Sequence, residues 1–216
     1  MAVYRYLDDA WIDEFFMHGR LLLSTYDRCR THEDVVRRDE REGKGPFYIS
    51  HGNYGLAGLQ TAGSRSYLLC ASLLSSEDLM RHFGTTSYLS INNVSAFAEE
   101  VGKSLPGLVS LRYAKCTYVP ERSIARRSAE PIRPDITPMI AAVEANDHAK
   151  VEEAFEEMNR ALARVVDKQI SDQVYFLKSH SFSPEQEFRL VWTVDHDVTG
   201  PTAIECPRAA VYCTRK

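Results

Sequence analysis

In the stretch Phe182–Trp192, FSPEQEFRLVW, two glutamates and an arginine stand at alternate positions just where the chain turns apolar. Read as a β-strand with period two, Glu185, Glu187 and Arg189 fall on one face and Gln186, Phe188, Leu190 and Trp192 on the other. Positions two apart on a strand are roughly 6.5–7 Å apart, so the row sets two carboxylates beside a guanidinium. Two readings fit it. On a half-exposed sheet the row is a structural salt-bridge ladder that adds little stability. In a cleft, a fixed carboxylate stabilises the oxocarbenium-like transition state of glycosidic-bond cleavage, and a second one acts as general base or orients an acceptor. Arg189 would then keep one carboxylate ionised, because an opposite charge lowers its pKa.

Other chemical signatures are absent from the sequence. The glycines of HGNYGLAG (51–58) run G-x-x-G-x-x-G, which is not a dinucleotide fingerprint, and EGKGPF (42–47) lacks the framing residues of a phosphate loop. Seven histidines are dispersed, with no H-E-x-x-H and no zinc-deaminase pattern, and no G-x-S-x-G elbow supports a serine hydrolase. THED (31–34) reads as an exposed polar loop, and EDVVRRDERE (33–42) as an exposed charged helix rather than a nuclease's metal-binding acids. The five cysteines include no Cys-x-x-Cys, which indicates neither a disulfide framework nor a zinc site. No metal cofactor is expected.

The elements that must position the glutamate row follow from periodicity. AVYRYL (2–7) predicts a strand with Arg5 between Val3 and Leu7. DDAWIDEFFMHG (8–19) predicts a helix with an Asp N-cap, a stripe of Trp11, Ile12, Phe15 and Phe16, and a Gly19 stop, and RLLLST (20–25) a second strand. A long excursion over 26–63, rich in charge, Gly and Asn, follows as a lid or mobile segment. Strands are predicted at 65–72, 87–91, 108–119, 173–178 and 209–214. Helices are predicted at 75–84, with Ser75 and Asp78 as a capping box, and at 93–102. A proline- and arginine-rich connector over 120–138 leads to helices at 137–145 and 147–168, the second burying Val151, Phe155, Met158, Leu162, Val165 and Val166. Mixed elements without regular βαβ alternation predict an α+β chain.

With 216 residues, 44% hydrophobic, the sequence suits one domain spanning 1–216, in which 26–63 is the excursion and 120–170 the connector plus helical insertion. The start lacks a signal-peptide layout, and the longest apolar run, YLLCASLL (67–74), is far shorter than a membrane span. The expectation is a cytoplasmic protein without a membrane partner. Net charge is −4, but 101–134 holds seven basic and two acidic residues, which leaves the rest near −9. Arg122, Arg126 and Arg127 lie in that stretch. They are either a footprint for nucleic-acid phosphates or part of a solvated loop.

The ordered phrases YRYL, GRLLLSTYDRCRTHEDVVRRDEREG, YLLCASLLSSEDLMRHFG and YFLKSHSFSPEQEFRLVW resemble a large bacterial family of uncharacterised proteins found in phage-defence and toxin loci. More remotely, an Arg on the first strand, Ser-Thr at the end of the second and Glu-x-Glu on a late strand resemble Arg-Ser-Glu type ADP-ribosyltransferases. That resemblance implies two small packed β-sheets with flanking helices and NAD as co-substrate. It implies that Arg5 contacts NAD phosphate or ribose, that Ser24 and Thr25 brace the nicotinamide side, and that Tyr26, or an aromatic of the 47–54 excursion, stacks on nicotinamide. Glu187 becomes the catalytic glutamate and Glu185 addresses the acceptor. The acceptor expected is nucleic acid, single-stranded RNA ahead of DNA, with an antitoxin or other inhibitory protein as a further partner. The rival readings are a non-catalytic module that docks a partner protein and an ADP-ribosyltransferase with a protein acceptor.

Overall fold

The structure, a computed structural model, describes residues 1–34, 38–132 and 134–216, and of these all side chains but those at 167, 171 and 172. The chain begins with β1 (Val3–Leu7), α1 (Asp9–His18), β2 (Arg20–Thr25) and the five-residue α2 (Tyr26–Arg30). It continues with β3 (Lys44–His51), β4 (Tyr54–Thr61), β5 (Ser66–Ser72), α3 (Glu77–Phe83), β6 (Ser87–Ile91) and α4 (Val94–Lys103). Then come β7 (Leu108–Lys115), β8 (Thr117–Val119), β9 (Ile124–Arg127), α5 (Thr137–Glu144) and α6 (His148–Val174). The chain closes with β10 (Leu177–Ser179), a 3-10 turn (His180–Glu185), β11 (Glu187–Val194), β12 (Thr202–Glu205), a second 3-10 turn (Pro207–Tyr212) and β13 (Cys213–Arg215). The class is α+β, with sheets of eight, three and two strands.

Two compact units divide these elements. The larger comprises Met1–Gly43, Ala62–Glu121 and Tyr175–Lys216 and holds the eight-stranded sheet. Its centre is β5, which pairs with β11 antiparallel from Ser66↔Thr193 to Ser72↔Glu187. Two strands share the other edge of β5: β2 pairs at Leu68 and Tyr67, and β1 at Ser72. The sheet therefore forks, with Leu69–Ala71 between the prongs. One prong continues from β2 to β12, the other from β1 through β6 to β13. One face of the sheet buries Val3, Leu69, Leu89, Phe188, Leu190 and Trp192 with Phe15 of α1 and Phe97 and Val101 of α4. Burying such side chains contributes roughly 1.5–3 kcal/mol each.

The β-α-β opening follows the sequence reading closely, with Gly19 as a left-handed C-cap at φ 71°. Asp8 holds the N-cap position, though its side chain caps nothing, and only Ile12 and Phe15 of the stripe are buried; Trp11 is 57% exposed. Ser76, not Ser75, caps α3, because its hydroxyl accepts from the amides of Asp78 and Leu79. Of the expected strand at 173–178, only Leu177 and Lys178 are strand, in β10, because α6 runs on to Val174 and a turn follows it. Residues 209–214 are mostly the second 3-10 turn, entered at Pro207, which has no amide hydrogen to give a ladder.

The smaller unit comprises Lys44–Thr61 and Arg122–Val174. Half of the 26–63 excursion is thus a regular hairpin, β3–β4, whose register runs from Lys44↔Thr61 to His51↔Tyr54. Its two-residue turn starts with Gly52 at φ 56°, the position where hairpin turns favour glycine. β9 pairs with β3 in parallel, so part of the arginine-rich connector is a strand. On α6, Val166, Ile170 and Val174 are buried, whereas Phe155 faces solvent. Of the expected charged helix at 33–42, residues 35–37 lie outside the described residues; Asp39 and Glu42 are buried rather than exposed. Arg133 is likewise outside them.

Tyr26 is wedged between two glycines. A Cβ at Gly63, where φ is 102°, would lie 2.3 Å from the Tyr26 ring, and one at Gly43, where φ is 66°, 2.5 Å from it. Gly63→Ala is therefore expected to destabilise the fold by about 1–3 kcal/mol through overpacking and backbone strain. Urea unfolding would read this as a lower midpoint at unchanged slope.

Candidate functional site

The face of β11 that carries Glu187, Arg189 and Val191 lies beside Ser72, Cys70 and Leu68 of β5. The alternation foreseen in the sequence holds from Glu187 onward, but the exposure does not. Glu187 is 4% exposed and Arg189 wholly buried, so the row is no solvated ladder. Glu185 precedes the strand, in the 3-10 turn, and Gln186 links it to Glu187 in the left-handed region at φ 45°. That geometry costs a non-glycine residue on the order of 1–2 kcal/mol. Ties hold the corner in place: Ser72 Oγ donates to the Glu185 carbonyl (2.7 Å), and the Leu73 amide to that of Gln186 (2.8 Å). The Glu187 amide donates to the Tyr118 hydroxyl (2.6 Å), whose phenol burial pushes up to about 12.

Two side chains not singled out as site residues in the sequence complete a chain of alternating charge. Arg189 is forked onto Glu42, with Nη1 to Oε1 at 2.7 Å and Nη2 to Oε2 at 2.8 Å. Its Nε donates to Glu187 Oε1 at 2.5 Å, and Nη1 also donates to the Tyr175 carbonyl at 2.9 Å. Lys178 Nζ bonds Glu187 Oε2 on one side and Glu185 Oε2, at 2.6 Å, on the other. Three carboxylates thus alternate with two cations. His82 Nε2 stands 3.9 Å from Glu185 Oε1.

The two glutamates titrate differently. Burial pushes Glu187 upward, but Arg189 and Lys178 together outweigh it and hold the carboxyl well below the carboxylate range. For Glu185 burial wins: its pKa is raised despite the attraction of Lys178, and the charge of Glu187 adds to the rise. Lys178 is protonated, because the two carboxylates overcome the desolvation that disfavours its charge. It is therefore no amine nucleophile.

The signs make a prediction. Glu187, depressed from its ordinary 4.5, contributes stability that is present above 4.5 and lost as pH falls below it. Glu185, raised from 4.5, contributes with the opposite sign, favouring the fold below 4.5 and losing that contribution as pH rises through its folded value. Urea midpoints measured from pH 7 down to 3 should therefore fall more steeply in wild type than in Glu187→Gln.

These groups border a cleft of about 230 Å³ at the fork of the sheet. Tyr4, Arg5 and Tyr6 of β1 line it, with Ser24 of β2, Cys70–Ser72 of β5, Cys29, His32, Glu42, Lys178, Glu185 and Glu187. Arg5 donates from Nη2 to the Leu22 carbonyl of the other prong at 2.9 Å. The structure thus brings together Arg5, Ser24, Glu185 and Glu187. It does not bring Thr25 or Tyr26 to the cleft. Thr25 spends its hydroxyl on capping α2, accepting from the Arg28 amide (3.2 Å). Tyr26 is wholly buried with its hydroxyl donating to the Tyr175 carbonyl (3.1 Å), so neither ring face is open for stacking. Of the basic residues, Arg122 is buried, which removes it from any surface phosphate contact; Arg126 and Arg127 are exposed on β9.

Among the described residues no group of three or more His, Cys, Asp or Glu side chains is placed to hold a metal ion, and no helix is long and apolar enough to cross a membrane. Compared with protein-family models, curated proteins and solved structures, the chain matches none of them.

Proposed function

We propose that the cleft is the site of an NAD-dependent ADP-ribosyltransferase, with Glu185 and Glu187 facing the sugar whose glycosidic bond is broken. The observation that carries this reading is the meeting of both buried carboxylates with Arg5 and Ser24 at the fork of one sheet. Breaking the bond between nicotinamide and ribose develops positive charge on the sugar, and fixed carboxylates in a site shielded from water stabilise that charge. Glu187 is held ionised for this role, while Glu185, with its raised pKa, suits proton transfer from an acceptor. Arg5 supplies a cation for a phosphate, and Ser24 a hydroxyl beside it. At about 230 Å³ the cleft is smaller than the ~300–1,000 Å³ of sites that engulf a drug-sized ligand, which suits the nicotinamide riboside half of the dinucleotide.

Single-stranded RNA is the acceptor we favour. In the smaller unit, β3 and β9 pair Ser50 with Arg127, two positions from exposed Tyr48. A basic side chain beside an open aromatic ring suits a phosphate and a stacked base. The family resemblance of the longer sequence phrases sets this activity in a toxin or phage-defence effector.

A second reading has its own observation. Lys178 bonds both glutamates, as a purely structural ion network in a partner-docking module would have it. The test incubates the purified chain with NAD labelled in the adenylate, in the presence of RNA, single-stranded DNA or cell protein. Label on one pool, with nicotinamide released, supports the transferase and names its acceptor class. Neither label nor nicotinamide from folded protein overturns it in favour of the docking module.

A further inference from the structure

Five cysteines are present, and the structure separates them into two kinds. Cys116, Cys206 and Cys213 are buried, and the thiols of the last two donate to the carbonyls of Gly19 and Ala209. Cys29 and Cys70 are half-buried, and both line the cleft. They come from different elements. Cys29 sits on α2, whose start is pinned by the Thr25 cap, and Cys70 on β5, opposite Arg189 in the register. Both side chains pack against one apolar cluster of Tyr26, Leu68 and Val191, and each thiol shifts the titration of the other. Ser24 Oγ lies 3.9 Å from Cys29 Sγ.

We propose that Cys29 and Cys70 form a dithiol modification site in the wall of the cleft, which a peroxide converts to an intramolecular disulfide. The pair has the asymmetry this chemistry needs. The Cys70 side chain lowers the pKa of the Cys29 thiol against the opposing effect of burial, whereas Cys70 is pushed well up by Cys29 and by burial. Arg189 favours the thiolate; Glu42 and Glu187 oppose it. Cys29 is thus the sulfur that attacks and Cys70 the one that resolves. In the first step the Cys29 thiolate attacks one peroxide oxygen. The O–O bond breaks, and hydroxide leaves and takes up a proton as water. In the second, the Cys70 sulfur attacks the sulfenic acid, the S–S bond forms, and the displaced hydroxide takes the Cys70 proton. Two thiols and one hydrogen peroxide give one disulfide and two waters, the thiols losing the two electrons the peroxide gains. The bond would tie α2 to β5 beside Ser24, within the cleft wall.

The site does not depend on the transferase reading, and its test needs no activity. Reduced wild-type protein is treated with hydrogen peroxide under native conditions, then alkylated after unfolding and mapped by mass spectrometry. The expected product has lost two hydrogens and carries one Cys29–Cys70 cross-linked peptide, with the other three cysteines alkylated. In parallel, phenylarsine oxide, which needs two adjacent thiols, should load one equivalent per chain, falling to none in Cys29→Ser and in Cys70→Ser. Cys70 alkylated in full after peroxide, with Cys29 either alkylated or singly over-oxidised, overturns the proposal. Arsenical uptake unchanged in both serine variants overturns it equally. The wild-type map decides the matter should either variant fail to fold.

Discussion

Glu185→Gln is expected to lower nicotinamide release from NAD by about 10²–10³-fold while barely moving the melting temperature. The size is that of removing one charge or proton-transfer group aimed at a transition state. The small effect on stability follows from the environment. Burial already disfavours the ionised form of Glu185, so its charge adds little to the fold. A glutamine keeps an oxygen for Lys178, which retains Glu187 as its other partner. Glu187→Gln, the variant the sequence alone would select, is the poorer probe. It removes the charge that both Arg189 and Lys178 face, so lost activity would be mixed with lost stability. Nicotinamide release by Glu185→Gln equal to wild type would remove Glu185 from the mechanism. Release that falls only in step with melting temperature would make its role structural.

How far this site was legible in the sequence depends on which interactions are local. The two faces of β11 follow from alternation, and the prongs β1 and β2 from an opening whose helix stripe and Gly19 stop are short-range signals. Arg5, Ser24 and the two glutamates could therefore be named in advance. Glu42 could not, because in RRDEREG it looks like its neighbours; only the Arg189 guanidinium distinguishes it, and that partner is 147 residues away in sequence. Lys178 left a faint sign as a charge at the end of YFLK, but that run reads equally as strand or helix end. Tyr26 was misjudged because its burial is created by Gly43 and Gly63, whose glycines were read as loop composition rather than as room for a ring. The kink at Gln186 had no signal at all, since glutamine has no preference for a positive φ. Short apolar runs such as 209–214 misled for a general reason: strand and buried turn are indistinguishable by hydrophobicity alone.

The largest loss of stability should come from splitting Glu42 from Arg189. Glu42→Ala removes both acceptors of the guanidinium fork and leaves a wholly buried cation with Glu187 and one carbonyl. Breaking a buried pair in this way costs about 3–5 kcal/mol. For a chain of this size each kcal/mol lowers the melting temperature by about 2–4 °C, so calorimetry should show a fall of about 6–20 °C. Arg189→Met alone should cost a similar amount, because it strands the buried Glu42 carboxylate and leaves Glu187 with Lys178 as its one cation. The informative variant is the double one, Glu42→Leu with Arg189→Met. Replacing both partners removes the desolvation cost along with the attraction, so the double variant should be more stable than either single change, while Glu187 remains paired with Lys178. Additive losses in the double variant would mean that the two side chains act independently and that the fork carries no coupling. Recovery of stability without recovery of nicotinamide release would separate the two roles of Arg189. The fold needs its charge balanced, whereas the proposed chemistry needs Glu187 held ionised and in place.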